Sequence, residues 1–70
     1  MGLDDMLKEQ IRARAPELKQ RLVSEFSEVS QQDMDETSDD PDEIVDRIQA
    51  KTGQPREQIE QRVSQVAQSS

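Results

Sequence analysis

An all-α fold is predicted, a small bundle of four to five short helices that ends in an antiparallel helical hairpin. Two observations carry this expectation. The few apolar residues recur at spacings of three and four, the period of one helix face. Start and stop residues bracket these runs, most completely in PDEIVDRIQAKTGQPREQIEQRV, residues 41–63. With 70 residues there is room for one domain at most, and for a small core.

Each element follows in order. Leu3, Met6, Leu7 and Ile11 share one helical face, with Arg12, Arg14 and the acids on other faces. Pro16 interrupts this run, because it lacks an N–H and disfavours helical geometry at Ala15. It suits the first turn of a second helix, with Glu17 favourable beside it. Leu18, Leu22, Phe26 and Val29 then continue one apolar stripe, with Val23 alongside. Ser30 and Asp33 have the spacing of an N-cap with a shortened capping box, and a helical turn around Met34 is expected after them. Seven acids lie between Asp33 and Glu43. Their mutual repulsion predicts a loop over residues 36–40.

Asp40 is the next N-cap, Pro41 fits the first helical position, and Glu43 completes an acidic first turn. Ile44, Val45 and Ile48 form the buried face, while Arg47 and Lys51 lie together one turn apart. Gly53 supplies a left-handed stop. Pro55 opens the last helix, whose stripe is Ile59, Val63 and Val66. The chain thus divides into an N-terminal amphipathic helix at 1–15, a helical domain at 16–67 and a tail at 68–70, with fraying expected from Ala67 onward.

Composition narrows the chemistry. The chain has no cysteine and no histidine, so disulfides, thiolate or histidine zinc sites and histidine acid–base catalysis are excluded. A net charge of −7 opposes binding to phosphate backbones and anionic membranes. Hydrophobic residues make up 30% of the chain and Phe26 is its one aromatic, which brings the composition close to that of disordered proteins. No apolar run reaches the roughly 18 residues of a membrane span. MGLDDMLKEQ has acids where a signal peptide carries bases, and position 6 lacks the Ser or Thr of a myristoylation signal. The expected location is the cytoplasm.

The acidic stretch invites a calcium reading, since Asp33, Asp35, Thr37 and Asp39 alternate as in the first part of an EF-hand loop. The glycine of position six is Ser38, and the bidentate glutamate of position twelve is Ile44, so the motif loses its turn and its principal ligand. The expectation is a solvated acidic loop that caps helices. Paired carboxylates catalyse only in a pocket that shifts their pKa values, and so small a core leaves no room for one. The serines lack a partner base. No catalytic, cofactor-binding or metal-binding residues are assigned, and no cofactor or enzyme activity is expected. The last two helices have the connection length of a helix–turn–helix. The second presents Arg56, Gln58, Gln61 and Arg62, but also Glu57 and Glu60, and no basic arm is present, so an ordinary hairpin without nucleic-acid binding is expected. The face of Leu3, Met6, Leu7 and Ile11 is available to pack within its own chain, to self-associate, or to enter the groove of a protein partner.

The residues FSEVSQQDM at 26–34, DEIVDRIQAKTG at 42–53 and REQIEQRV at 56–63 resemble the CsbD-like family of small bacterial general stress proteins. The family pattern runs roughly W-x-x-L-T-x-x-D-[LM], a short acidic stretch, D-x-L-V-G-K-I-Q-x-x-Y-G, and an acidic helix ending E-x-x-V. The register holds without a gap over residues 26–63, and PELKQRLVSEF upstream is compatible with the family's first helix. Val45, Ile48, Gln49, Gly53, Glu60 and Val63 carry the match. Phe26 stands where the family has tryptophan, Asp39 and Asp46 replace glycines, and Thr52 replaces a tyrosine. The resemblance makes 16–67 a CsbD-like helical domain and implies a small cytoplasmic helical protein made under general stress, without established chemistry. Its motif residues are fold determinants.

The leading expectation is therefore a non-enzymatic stress-response protein of the CsbD-like kind. The alternative is an acidic helical interaction module, an adaptor or inhibitor bound to a protein partner. Composition keeps a third class open, a disordered stress protectant.

Overall fold

The computed structural model describes residues 3–69, which form five α-helices: α1 (Asp5–Ala13), α2 (Ala15–Glu25), α3 (Gln31–Glu36), α4 (Pro41–Thr52) and α5 (Arg56–Ser69). No strand occurs among the described residues. The reading of the MGLDDM terminus rests on Met1 and Gly2, which lie outside them, as does Ser70.

Asp4 caps α1 by accepting the Leu7 N–H at 2.7 Å. The apolar face of α1 is used within the chain: Ile11 is fully buried, and Leu3 and Leu7 pack half-buried on the same core. Met6 points away and is 72% exposed, so the expected face splits, with three residues inward and one outward. Arg14 alone joins α1 to α2. Its N–H bonds back to the Gln10 and Ile11 carbonyls, and its own carbonyl accepts the Leu18 N–H at 2.9 Å. Pro16 follows in the first turn of α2, where a missing N–H costs nothing.

The stripe of α2 is shorter than its spacing suggests. The helix stops at Glu25, and Phe26 takes an extended conformation with φ −116° and ψ 106°. Phe26 and Val29 are nevertheless buried, because a turn closed by the Val29 N–H on the Phe26 carbonyl returns Val29 to the core. Spacings of three and four do not distinguish a continuing helix from a turn that brings the chain back to the same side.

Ser30 and Asp33 form a complete capping box on α3: the Ser30 hydroxyl accepts the Asp33 N–H, and the Asp33 carboxylate accepts the Ser30 N–H, each at 3.1 Å. Met34 is the one apolar residue that α3 sends into the core. Asp40 caps α4 through the Asp42 N–H at 3.0 Å, with Pro41 in the first turn. Gly53 ends α4 in the left-handed region at φ 71°, its N–H on the Gln49 carbonyl at 2.9 Å. The Pro55 carbonyl accepts the first bonds of α5, from Gln58 and Ile59, so this proline sits one residue ahead of the helix. Helix α5 runs to Ser69, and Ala67 is buried because it lies on the face of Ile59, Val63 and Val66.

Packing joins α4 and α5 as the closing hairpin, and α5 also touches α1 and α2. The helix α3 packs against both α2 and α4. One core cluster holds Ile11, Leu22, Phe26, Met34, Ile48, Val63 and their neighbours, so α1 shares its interior with the remainder of the chain.

Gly53 tests the hairpin turn. A Cβ built there meets nothing within 4 Å, so substitution acts through backbone strain alone. Gly53→Val is expected to lower stability by about 1 kcal/mol or more. Thermal and urea unfolding curves unchanged from the parent chain would contradict this.

Candidate functional site

The chain carries sixteen acids and nine bases, and seven of the acids lie in residues 33–43, where there is no base. The remaining chain is balanced at nine acids and nine bases, so the whole excess of −7 belongs to α3, the following loop and the first turn of α4. This segment is the candidate functional site, and its geometry follows from what neutralises it.

Cations reach it from four helices. From α2, the Lys19 ammonium donates to the Thr37 carbonyl at 2.9 Å and to Asp39 Oδ1 at 3.1 Å. Lys19 is 9% exposed, because it follows Leu18 on the buried face that also carries Ala15 and Leu22. From α4, Lys51 and Arg47 approach Asp33 Oδ1 at 3.3 and 3.9 Å, and Arg47 also reaches Glu36 at 3.4 Å. From α1, Lys8 lies 3.6 Å from Asp42. From α5, Arg56 pairs with Asp42, Asp46 and Glu60. The Asp46 hydrogen bond is the main reason that the Arg56 guanidinium holds its proton more firmly than usual.

Asp33 is the central carboxylate. The hydrogen bond from the Ser30 backbone lowers its pKa below the ordinary 3.8; burial opposes this, and the Lys51 and Ser30 side chains add to the lowering. The other acids turn elsewhere. Asp35 accepts from Gln31 Nε2 at 3.1 Å, Asp40 caps α4, and Glu43 accepts from the Ser38 hydroxyl and N–H.

The positions read as half an EF-hand do not converge. Asp33 and Asp35 are on one helix, where residues two apart diverge by roughly 200°. Thr37 turns its hydroxyl to the Met34 carbonyl at 2.8 Å, and Asp39 faces Lys19. Among the described residues no three acids gather in a group that could hold a metal ion.

An open groove of about 380 Å³ runs beside the segment, lined by Glu36, Thr37, Glu43, Asp46, Arg47 and Ala50. A smaller one of about 200 Å³ lies between Asp4, Met6, Leu7 and Gln10 of the N-terminal region and Gln68 of α5. The residues considered for DNA reading are placed apart: Arg56 is held by three acids and Arg62 pairs with Glu25 at 2.6 Å, while Gln58 and Gln61 are exposed. No helix among the described residues is long and apolar enough to cross a membrane.

Sequence reasoning paired Arg47 with Lys51 but missed Lys19. The signal was present, as a lysine at the spacing of Ala15 and Leu22 inside an apolar stripe. What was not visible was its acceptor, a carbonyl eighteen residues away.

The chain matches no known protein-family model, no curated protein and no solved structure.

Two measurements probe this site. The Asp33 pKa is lowered by folding, so its contribution to stability is present above 3.8 and is lost as pH falls through the folded value. Asp33→Asn is therefore expected to destabilise the chain at neutral pH, with the gap from the parent closing only below pH 3.8. Urea unfolding across the acid range measures it; a gap that persists undiminished to the lowest pH would defeat the assignment. The dispersed carboxylates also predict that calcium causes small, diffuse amide NMR shifts that salt screens. Saturable shifts at micromolar calcium, confined to Asp33, Asp35 and Asp39, would show a built site instead.

Proposed function

We propose that this chain is a non-enzymatic general stress-response protein of the CsbD-like kind, acting in the cytoplasm. The observation that carries the reading is the ungapped register over residues 26–63, in which the pattern's apolar and turn residues coincide with structural determinants. Phe26, Val45, Ile48 and Val63 are buried, and Gly53 occupies the left-handed turn. Asp39 and Asp46, which stand at glycine positions of the pattern, have negative φ and pair with Lys19 and Arg56.

The alternative, an acidic interaction module, is supported by a different observation, the concentration of the whole charge excess in residues 33–43. A face of that kind favours a basic protein partner and repels phosphate.

Abundance of the protein in its host, followed through growth arrest, heat, acid and osmotic challenge, separates these readings. The stress reading expects a several-fold rise in at least one condition, and constant abundance throughout overturns it. The interaction reading expects a purified partner to bind with an affinity that falls when Asp35 and Glu43 are neutralised.

A further inference from the structure

We propose that α3 with residues 37–40 is a strap that opens as a unit, ahead of the remaining fold, and that its closed state is set by the Lys19 ammonium. The inference is independent of the family reading.

Three features of the packing lead to it. First, α3 is only six residues long, too short to persist as a helix without its tertiary contacts. Secondly, its apolar attachment is narrow, although α3 lies alongside α2. One apolar side chain, Met34, enters the core, and the other ties are polar: Lys19 on Thr37 and Asp39, Lys51 on Asp33, and Arg47 on Asp33 and Glu36. Thirdly, the other helices hold together without it. The contacts of α5 with α1, α2 and α4, and of α1 with α2 and α4, form a closed framework to which α3 is added through α2 and α4. A segment with few buried apolar contacts, resting on a framework that does not need it, has the character of a separate opening unit.

Within the strap the ties differ in kind. Asp39 is 63% exposed, so its pairing with Lys19 is largely screened by water. The Thr37 carbonyl is the C-cap acceptor of α3, and the nearly buried ammonium meets it directly. Lys19 therefore fixes the end of α3 from the neighbouring helix. Opening would withdraw Met34 and uncover part of the core cluster that holds Leu18 and Leu22 of α2 and Ile44 and Ile48 of α4. Lys19, Arg47 and Lys51 would remain on its rim without their carboxylates. That chemistry suits an acidic amphipathic helix, and α3 is its resident occupant.

Native-state amide hydrogen exchange on the full chain tests the strap. The amides of Asp33, Met34 and Thr37, which donate to Ser30 Oγ, the Ser30 carbonyl and the Met34 carbonyl, report on it. Those of Leu22, Ile48 and Val63, inside α2, α4 and α5, report on the framework. In the parent chain the strap should open at least about tenfold more often than the framework. Lys19→Met, which keeps an apolar stem, should raise strap exchange by about tenfold more, with framework exchange within about twofold of the parent. If Lys19→Met does not fold, Asp39→Asn serves in its place, with a smaller rise confined to the strap. Glu25→Gln breaks the distant pair with Arg62 and should leave the strap unchanged. Strap amides that exchange in step with the framework in every variant would overturn the proposal. So would a rise in Lys19→Met or Asp39→Asn that is equal over the whole chain, or a strap response to Glu25→Gln.

Discussion

The whole charge excess of this protein must be held against an interior made of small aliphatic residues, and much of the structure follows from that constraint. Seven carboxylates in residues 33–43 repel one another in any compact arrangement. The chain meets this by dividing them. Asp33 and Asp40 are spent on helix caps, where backbone N–H groups and the helix dipole favour negative charge. Asp39, Asp42 and Glu36 face cations that arrive from other helices. Those cations fix which faces of α1, α2, α4 and α5 turn towards the segment. Met34 then has to be the apolar anchor, because no other residue of α3 lacks a polar side chain.

Elements defined by local chemistry were legible in the chain itself. Asp40, Pro41 and Gly53 delimit α4 because each acts on backbone within a turn of its own position. The Ser30–Asp33 capping box is local in the same way, and a shortened acid still closes it. The misread features depend on contacts distant in sequence. Phe26 and Val29 keep helical spacing through a turn, since the core accepts their side chains from either backbone path. Ala67 is buried near the end of α5 because its face meets the bundle. The candidate site was half legible. Its acids and the Arg47–Lys51 pair could be read along the chain, whereas the seat of Lys19 depends on α3 folding back over α2.

The arrangement also bears on why so small a core suffices. A domain of this size has a stability on the order of a few kcal/mol, so single defects weigh heavily. Among the described residues no buried side-chain nitrogen or oxygen lacks a hydrogen-bond partner. That removes the desolvation penalty of about 1–3 kcal/mol that each such group would carry. Phe26 is the one aromatic residue of the cluster, and α1 adds Ile11 to it. The contribution of α1 is thus structural, with Met6 as its one exposed large hydrophobic residue.

The ion pairs around α3 matter more for position than for stability. Pairs this exposed are each worth about 0–1 kcal/mol; Asp39 and Lys51 are 63% and 43% exposed in their side chains. An apolar residue at position 19 would fill the same stripe but leave the Thr37 carbonyl without its ammonium donor. What it would not do is select the end of α3. Met34 alone permits α3 to rotate or slide between α2 and α4, because a flexible thioether fills an apolar gap in several ways. A lysine on the Thr37 carbonyl, with Lys51 and Arg47 on Asp33 near the other end, fixes both ends of a six-residue helix from two different neighbours. The same directional contacts leave α3 weakly attached in free-energy terms. Its placement is therefore specific while its release remains easy, a combination that a larger apolar contact would not provide.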